Sequence, residues 1–170
     1  MQRIAKFEKV SYEEFKKSVQ KCFFDKFSEN EIKDMYDNIK LPQRATIDSA
    51  GYDFYSPLKL NINKTDRTII PTGIRAKIDQ GWVLKMYPRS GLGFKYELFL
   101  SNTTGIIDGD YYNSDNEGHI MIKVGHNEGD YLLQIEQGQG IVQGIFVEYG
   151  ITKDDVVYKT RNGGFGSTDA

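Results

Sequence analysis

From Thr46 onward the chain breaks into short apolar-rich stretches, each closed by a turn cluster such as NKTD, DQG, GDYYNSDNEG or HNEGD. Stretches this short suit strands better than helices, and a recurrence about every ten residues predicts a β-sandwich or barrel. They fall at 58–62, 67–70, 73–78, 82–87, 97–101, 119–124, 131–135, 141–148 and 155–159, and residues 3–10 alternate polar and apolar as a further strand. The 17 glycines support the same reading, because many sit in tight groups: Gly91 and Gly93, Gly105 and Gly109, Gly138 and Gly140, then Gly163, Gly164 and Gly166. Glycine used this way serves sharp turns and close backbone approach. The expected class is mainly β.

Residues 11–40 follow a different period. Tyr12, Phe15, Val19, Cys22 and Phe23 repeat at three and four, the spacing of one helical face. Ser11 and Glu14 stand in capping-box positions, where each side chain satisfies an amide at the helix start, and Ser28 and Glu31 repeat the arrangement. Leu41-Pro42 ends the pattern, since proline cannot continue a helix. Two amphipathic helices are predicted, roughly 12–25 and 29–39. They offer a partner surface or lid, or pack as a hairpin on the core, which is the expected arrangement.

With 170 residues the chain suits one domain, 1–170, carrying a helical insertion at about 11–40 and a glycine-rich arm at about 160–170. Lys and Arg number 22 against 24 Asp and Glu, a formal charge of −2. That balance speaks against nucleic acid or an anionic membrane as partner, both of which require a basic surface. No run approaches the roughly 18 apolar residues of a membrane span. MQRIAKFEKV lacks the apolar centre of a signal peptide, so the cytoplasm is the expected location. Cys22 alone excludes a disulfide framework or a cysteine-based zinc cluster.

Three segments are equipped for an anionic ligand. Pro88-Arg89-Ser90-Gly91-Leu92-Gly93 ends a strand with a guanidinium, a hydroxyl and glycine amides. Arginine's permanently charged fork matches phosphate oxygens. The tail RNGGFGSTDA adds Arg161, Ser167, Thr168 and further glycine amides, and backbone amides in such turns form anion-binding hollows. In Gly105-Ile106-Ile107-Asp108-Gly109-Asp110-Tyr111 a carboxylate sits where a strand turns. It either fixes the turn or acts as a general base on water. Asp53 occupies an analogous junction in SAGYD. Neither Cys22 nor a histidine lies in a motif for nucleophilic catalysis, and His119 and His126 are expected to face solvent or their neighbours. Water is left as the attacking group.

In order along the chain, SAGYD (49–53), PRSGLG (88–93), GIIDGDY (105–111), GQGIVQ (138–143) and RNGGFGST (161–168) resemble the five motifs of trimeric dUTP diphosphatases. LPQRAT at 41–46 and PTGI at 71–74 also resemble that family, so the likeness covers roughly 41–170. It implies a β-clip or jelly-roll subunit, a homotrimer with active sites shared between chains, and Mg²⁺-dependent hydrolysis of dUTP to dUMP and diphosphate.

By the same resemblance, Asp108 deprotonates water at the α-phosphorus and Tyr111 stacks on the deoxyribose, leaving no room for a 2′-hydroxyl. Arg89, Ser90, Gly91 and Gln143 contact phosphates, while Asn102, Ile106, Ile107 and Met121 surround uracil and sugar. Asp53 is tied to the metal indirectly, through water. Arg161, Phe165, Gly166, Ser167 and Thr168 form the closing arm, with the phenylalanine over uracil. The chain departs from the family at Gly140, where an arginine is usual, at Asp169, in a C-terminal motif about one residue shorter, in NSDNE at 113–117, and in the added helices. Those helices are a possible site for a protein partner. A related dCTP deaminase needs a glutamate around 119–124, and HIMIKV has none. A non-catalytic nucleotide sensor is the other alternative, and Asp108 favours catalysis.

Overall fold

The computed structural model describes residues 2–127 and 132–159. The expected arm, with Arg161, Phe165, Gly166, Ser167 and Thr168, lies outside the described residues. Along the chain run β1 (Ala5–Lys9), α1 (Tyr12–Phe23), α2 (Glu29–Asp37), β2 (Gln43–Arg44), β3 (Tyr52–Tyr55), β4 (Leu60–Ile62), β5 (Thr68–Pro71), β6 (Ile74–Ile78) and β7 (Trp82–Pro88). Then follow α3 (Ser90–Tyr96), β8 (Phe99–Leu100), β9 (Gly105–Ile107), a 3₁₀ turn over Gly109–Asn113, β10 (Met121–Gly125), β11 (Leu133–Ile135) and β12 (Gly140–Glu148).

The strands form small sheets: β2-β3-β12-β7-β9, β5-β10-β8, β11-β4 and β1-β6. β12 is the longest strand and pairs antiparallel with β7 over seven positions, from Val142 opposite Pro88 to Glu148 opposite Trp82. Its inward residues Ile141 and Val142 join Phe54, Leu84, Ile62, Ile70 and Ile135 in one core from which water is excluded. Phe15 and Val19 of α1 and Ile32 and Met35 of α2 enter that same core. The two helices therefore pack as a hairpin on the β body, as their apolar faces predict.

Both helices end earlier than the sequence suggests, α1 at Phe23 and α2 at Asp37. Phe24 and Asp25 take left-handed conformations that stop α1 without glycine or proline, so no composition signal marks the end. Ser28 and Glu31 make the full capping box. Ser11 makes half of one: its hydroxyl accepts from the Glu14 amide at 3.2 Å, but the carboxylate that returns to the Ser11 amide is that of Glu117. Glu14 turns inward instead and accepts from Ser18.

Two further expectations fail. Residues 155–159 form no strand: Val156, Val157 and Tyr158 are exposed, and no described strand pairs with them. Residues 90–96, expected as loop, form α3, because buried Leu92 anchors a short helix that its two glycines alone would disfavour. Of the two settings expected for His119 and His126, solvent or their neighbours, the structure shows the second, since both are completely buried. Burial holds the His119 imidazole neutral, with its pKa lowered to about 4 against the opposing pull of Glu117.

Candidate active site

Between β9, the end of β8 and β10 lies an open cavity of about 460 Å³. Asn102, Ile106, Ile107, Tyr111 and Met121, expected around base and sugar, all line it. Among the described strands β9 pairs with β7 alone and stands at the edge of its sheet. Met86 forms part of the floor, and Gly105 lies so close above it that a Cβ there would stand 3.0 Å from the Met86 Cβ. The sequence reading missed Met86, Ser101, Thr104 and Lys123 as lining residues. Only Lys123 left a signal, as a polar position inside an apolar strand pattern.

The chain leaves β9 through Asp108, which is extended and half-buried at the start of the 3₁₀ turn. The Tyr111 amide donates to the Asp108 carbonyl at 3.2 Å, fixing carboxylate and ring on a single turn. Tyr111 is 5 % exposed, and its hydroxyl donates to the His119 carbonyl at 2.8 Å.

A second group gathers at the opposite end of β7. Arg89 Nε lies 3.0 Å from the Asp53 carboxylate, and a guanidinium N–H donates to the Gly140 carbonyl at 3.3 Å. Gln143 faces Asp53 across one strand pair and Tyr87 across the other, and its amide donates to the Pro88 carbonyl at 3.2 Å. Ser90 and Gly91 follow directly as the first residues of α3. A Cβ on Gly140 would lie 2.3 Å from an Arg89 guanidinium nitrogen. The missing side chain is thus the space in which Arg89 folds onto Asp53.

Within one chain Asp108 and Arg89 stand at different levels of β7. β9 runs antiparallel to β7 with Ile107 opposite Leu84 and Gly105 opposite Met86, so Asp108 points away from the Arg89 end. Six residue steps of extended chain separate their levels, about 20 Å. Arg89, Ser90, Gly91, Asp53 and Gln143 assemble together, Asn102, Ile106, Ile107, Asp108, Tyr111 and Met121 assemble together, and β7 holds the two sets apart.

No group of three or more His, Cys, Asp or Glu suited to a metal occurs among the described residues. Asp53, partly engaged by Arg89, offers one hard oxygen donor, which fits a cation that keeps its water shell and contacts the protein through it. Cys22 is half-buried and burial pushes its thiol pKa up, against a role as nucleophile. Beside the nucleoside-sized cavity a second groove of about 920 Å³ runs between α1 and the β5–β10 ladder. Lys17, Lys21, Arg67 and Lys123 rim it, and it shares Met121 and Lys123 with the first cavity.

The dUTPase family model matches residues 37–169, beginning at the last residue of α2. The deoxyuridine 5′-triphosphate nucleotidohydrolase of Lactococcus lactis subsp. lactis (strain IL1403) is 41% identical over 135 residues, covering 78% of this chain and 89% of that protein. The Escherichia coli (strain K12 / DH10B) protein of the same description is 37% identical over 134 residues, covering 74% and 85%. Among solved structures, the Streptococcus mutans dUTPase superposes with a TM-score of 0.64 at 30% identity, over 86% of this chain and 98% of that one. The phage phi11 dUTPase of S. aureus, which carries a species-specific insert, shares the fold at a TM-score of 0.62 and 18% identity, over 97% and 99%. A mutant of that phage enzyme coordinates a structural Mg(II) ion. Sequence likeness over most of the chain and a shared β architecture agree: this chain belongs to the dUTPase family and is a dUTP diphosphatase.

Proposed function

We propose that the enzyme cleaves dUTP to dUMP and diphosphate by in-line attack of water on the α-phosphorus, with Asp108 as the general base. The 3₁₀ turn carries this reading: it fixes Asp108 one turn before Tyr111, so a nucleoside seated against the ring presents its 5′ side to the carboxylate. Uracil lies along the backbone of β9 beside Asn102, Ile106, Ile107 and Met121, and Tyr111 excludes a 2′-hydroxyl. Positioning and charge stabilisation dominate phosphoryl transfer to water, so no covalent nucleophile is required.

Arg89, Ser90, Gly91 and Gln143 hold the phosphates. Arg89 stands about 20 Å along β7 from the level of Asp108, which supports a site completed by another copy of the chain. The exposed Ile151, Val156, Val157 and Tyr158 support the same arrangement, as an apolar segment that finds its cover on a neighbour. The assembly is a homotrimer. Asp53 would hold Mg²⁺ through water, and the ion would supply charge neutralisation for the phosphates. Arg161, Gly166, Ser167 and Thr168 close over the phosphates and Phe165 over uracil. The reaction lowers dUTP and provides dUMP for dTMP synthesis.

Asp108→Asn tests the base. In single-turnover experiments the variant should still bind dUTP while diphosphate release slows by about 10²–10⁴-fold. Release at the wild-type rate removes Asp108 from the chemistry. Phe165→Ala should weaken dUTP affinity by about 1–3 kcal/mol, the contribution of a base–aromatic stack. Unchanged affinity by calorimetry would count against the closing arm.

A further inference from the structure

Helix α1 grips the segment after Tyr111 at two points, both through polar groups. At its N-terminus the Ser11 amide and hydroxyl both donate to the Glu117 carboxylate, at 2.7 and 2.5 Å. Two turns further on, Ser18 Oγ stands 3.1 Å from His119 Nδ1. The other side of the ring sets the direction of that bond. The Gly73 amide can only donate, and it does so to Nε2 at 2.8 Å, so the neutral imidazole carries its proton on Nδ1 and donates it to Ser18. Ser18 then donates its hydroxyl hydrogen to Glu14 at 3.0 Å. Glu14, Ser18 and His119 are all buried. In this relay both ring nitrogens of His119 and the Ser18 hydroxyl are partnered, and such a buried relay favours one arrangement, because another would leave a buried group unpaired.

The far end of this network is the ring in the nucleoside cavity. Tyr111 donates its hydroxyl to the carbonyl of His119 and accepts from the Asn116 side-chain amide, each at 2.8 Å. Gly118, at φ +69°, presses on the turn so closely that a Cβ would lie 2.7 Å from the Tyr111 carbonyl oxygen. The neighbouring Tyr112 is tied to β1, where its hydroxyl donates to Glu8 at 2.6 Å. Of the residues that lengthen this hairpin, 113–117, Glu117 reaches the start of the added helix, and His119 just beyond them makes the second contact.

We infer that α1 is a brace for sugar recognition: Ser18 and His119, with Glu117 on Ser11, are positioning residues that hold the Tyr111 ring at the depth that admits deoxyribose and refuses ribose. This rests on the sugar-facing role proposed for Tyr111. The helices then serve the active site of their own chain from outside the span that the family shares.

Steady-state hydrolysis of dUTP and UTP by the full chain provides the test. Ser18→Ala should raise KM for dUTP about fivefold and shrink the dUTP-to-UTP ratio of kcat/KM by a similar factor, with kcat within about twofold. Ser18→Thr, which keeps the hydroxyl, should restore both values. Glu117→Ala, at the solvent side, should shift KM and selectivity in the same direction by less, and serves where Ser18→Ala does not fold. A lowered Tm with KM and selectivity unchanged in these variants overturns the brace. Tyr111→Ala separates this failure from that of the underlying reading: lost selectivity there with none lost in Ser18→Ala refutes the brace alone, whereas intact selectivity in Tyr111→Ala refutes the sugar-facing role itself.

Discussion

At one end of β7 the nucleoside-sized cavity has a floor of buried Met86, Ile120 and Ile122 and a rim of exposed Asn102, Ile106 and Lys123, and the buried Tyr111 is held through its hydroxyl by two hydrogen bonds. At the other end Arg89, with a side chain 40% exposed, leans on Asp53 and on a carbonyl through space left open at Gly140. The first end fixes its aromatic ring with groups of its own chain. The second is an ion pair that a polyanion can reorganise, since an exposed pair contributes only about 0–1 kcal/mol. Recognition of a neutral base depends on shape, which needs rigidity, whereas recognition of phosphates depends on charge, which tolerates rearrangement.

The sharpest way to break this contrast is to ask whether the two ends serve one substrate within a chain. Asp108→Asn and Arg89→Ala should each cut activity by about 10²-fold or more, and co-refolding the two inactive variants should return a substantial fraction. Recovery requires an intact Asp108 and an intact Arg89 from different chains in one site. A mixture as inactive as its parts would place both groups in a single chain's site, contrary to the β7 register.

Acid should loosen the braced end first. His119 has its folded pKa lowered to about 4, below the unfolded value of 6.5, so the unfolded chain binds the extra proton as pH falls. Stability should decline from about pH 6.5 toward 4, by at most roughly 3 kcal/mol. Glu8, held down to about 2 chiefly by Lys6 and Tyr112, contributes stability that is lost only below its ordinary 4.5. Urea unfolding between pH 4.5 and 6.5 therefore isolates the histidine, and His119→Gln should flatten the slope there. An equally steep slope in that variant would assign the titration to another group.

The smallest effect belongs to the open end. Gly140→Ala should displace the Arg89 guanidinium, which is the flexible end of a side chain, and so leave unfolding free energy within about 0.5 kcal/mol of wild type. KM for dUTP should change severalfold because Arg89 no longer rests on Asp53. A large loss of stability with unaltered KM would show that Gly140 serves the backbone and not Arg89.

Much of the site was legible because its chemistry demands particular residue types at fixed spacing. A strand that turns through Asp108 and reaches Tyr111 three residues later leaves the same trace in any chain. α3 was not legible, since its stability comes from Leu92 entering the core and not from local propensity. The strand expected at 155–159 erred in the opposite sense, because alternating residues require a partner ladder before they form one. The sequence left His119 open between solvent and its neighbours, because a histidine reads as polar until a backbone amide and a serine are found to satisfy its ring.

By itself the sequence determined the β body, the helical hairpin and the identity of the groups proposed to meet dUTP, because period, turn chemistry and residue type are local properties. Only the tertiary structure decided which of those groups stand together. It placed Arg89 against Asp53 and away from Asp108, and it handed the cap of α1 to Glu117 across 106 positions of chain. Register along β7 and the closure of long loops set those distances, and neither is written in any short stretch of residues.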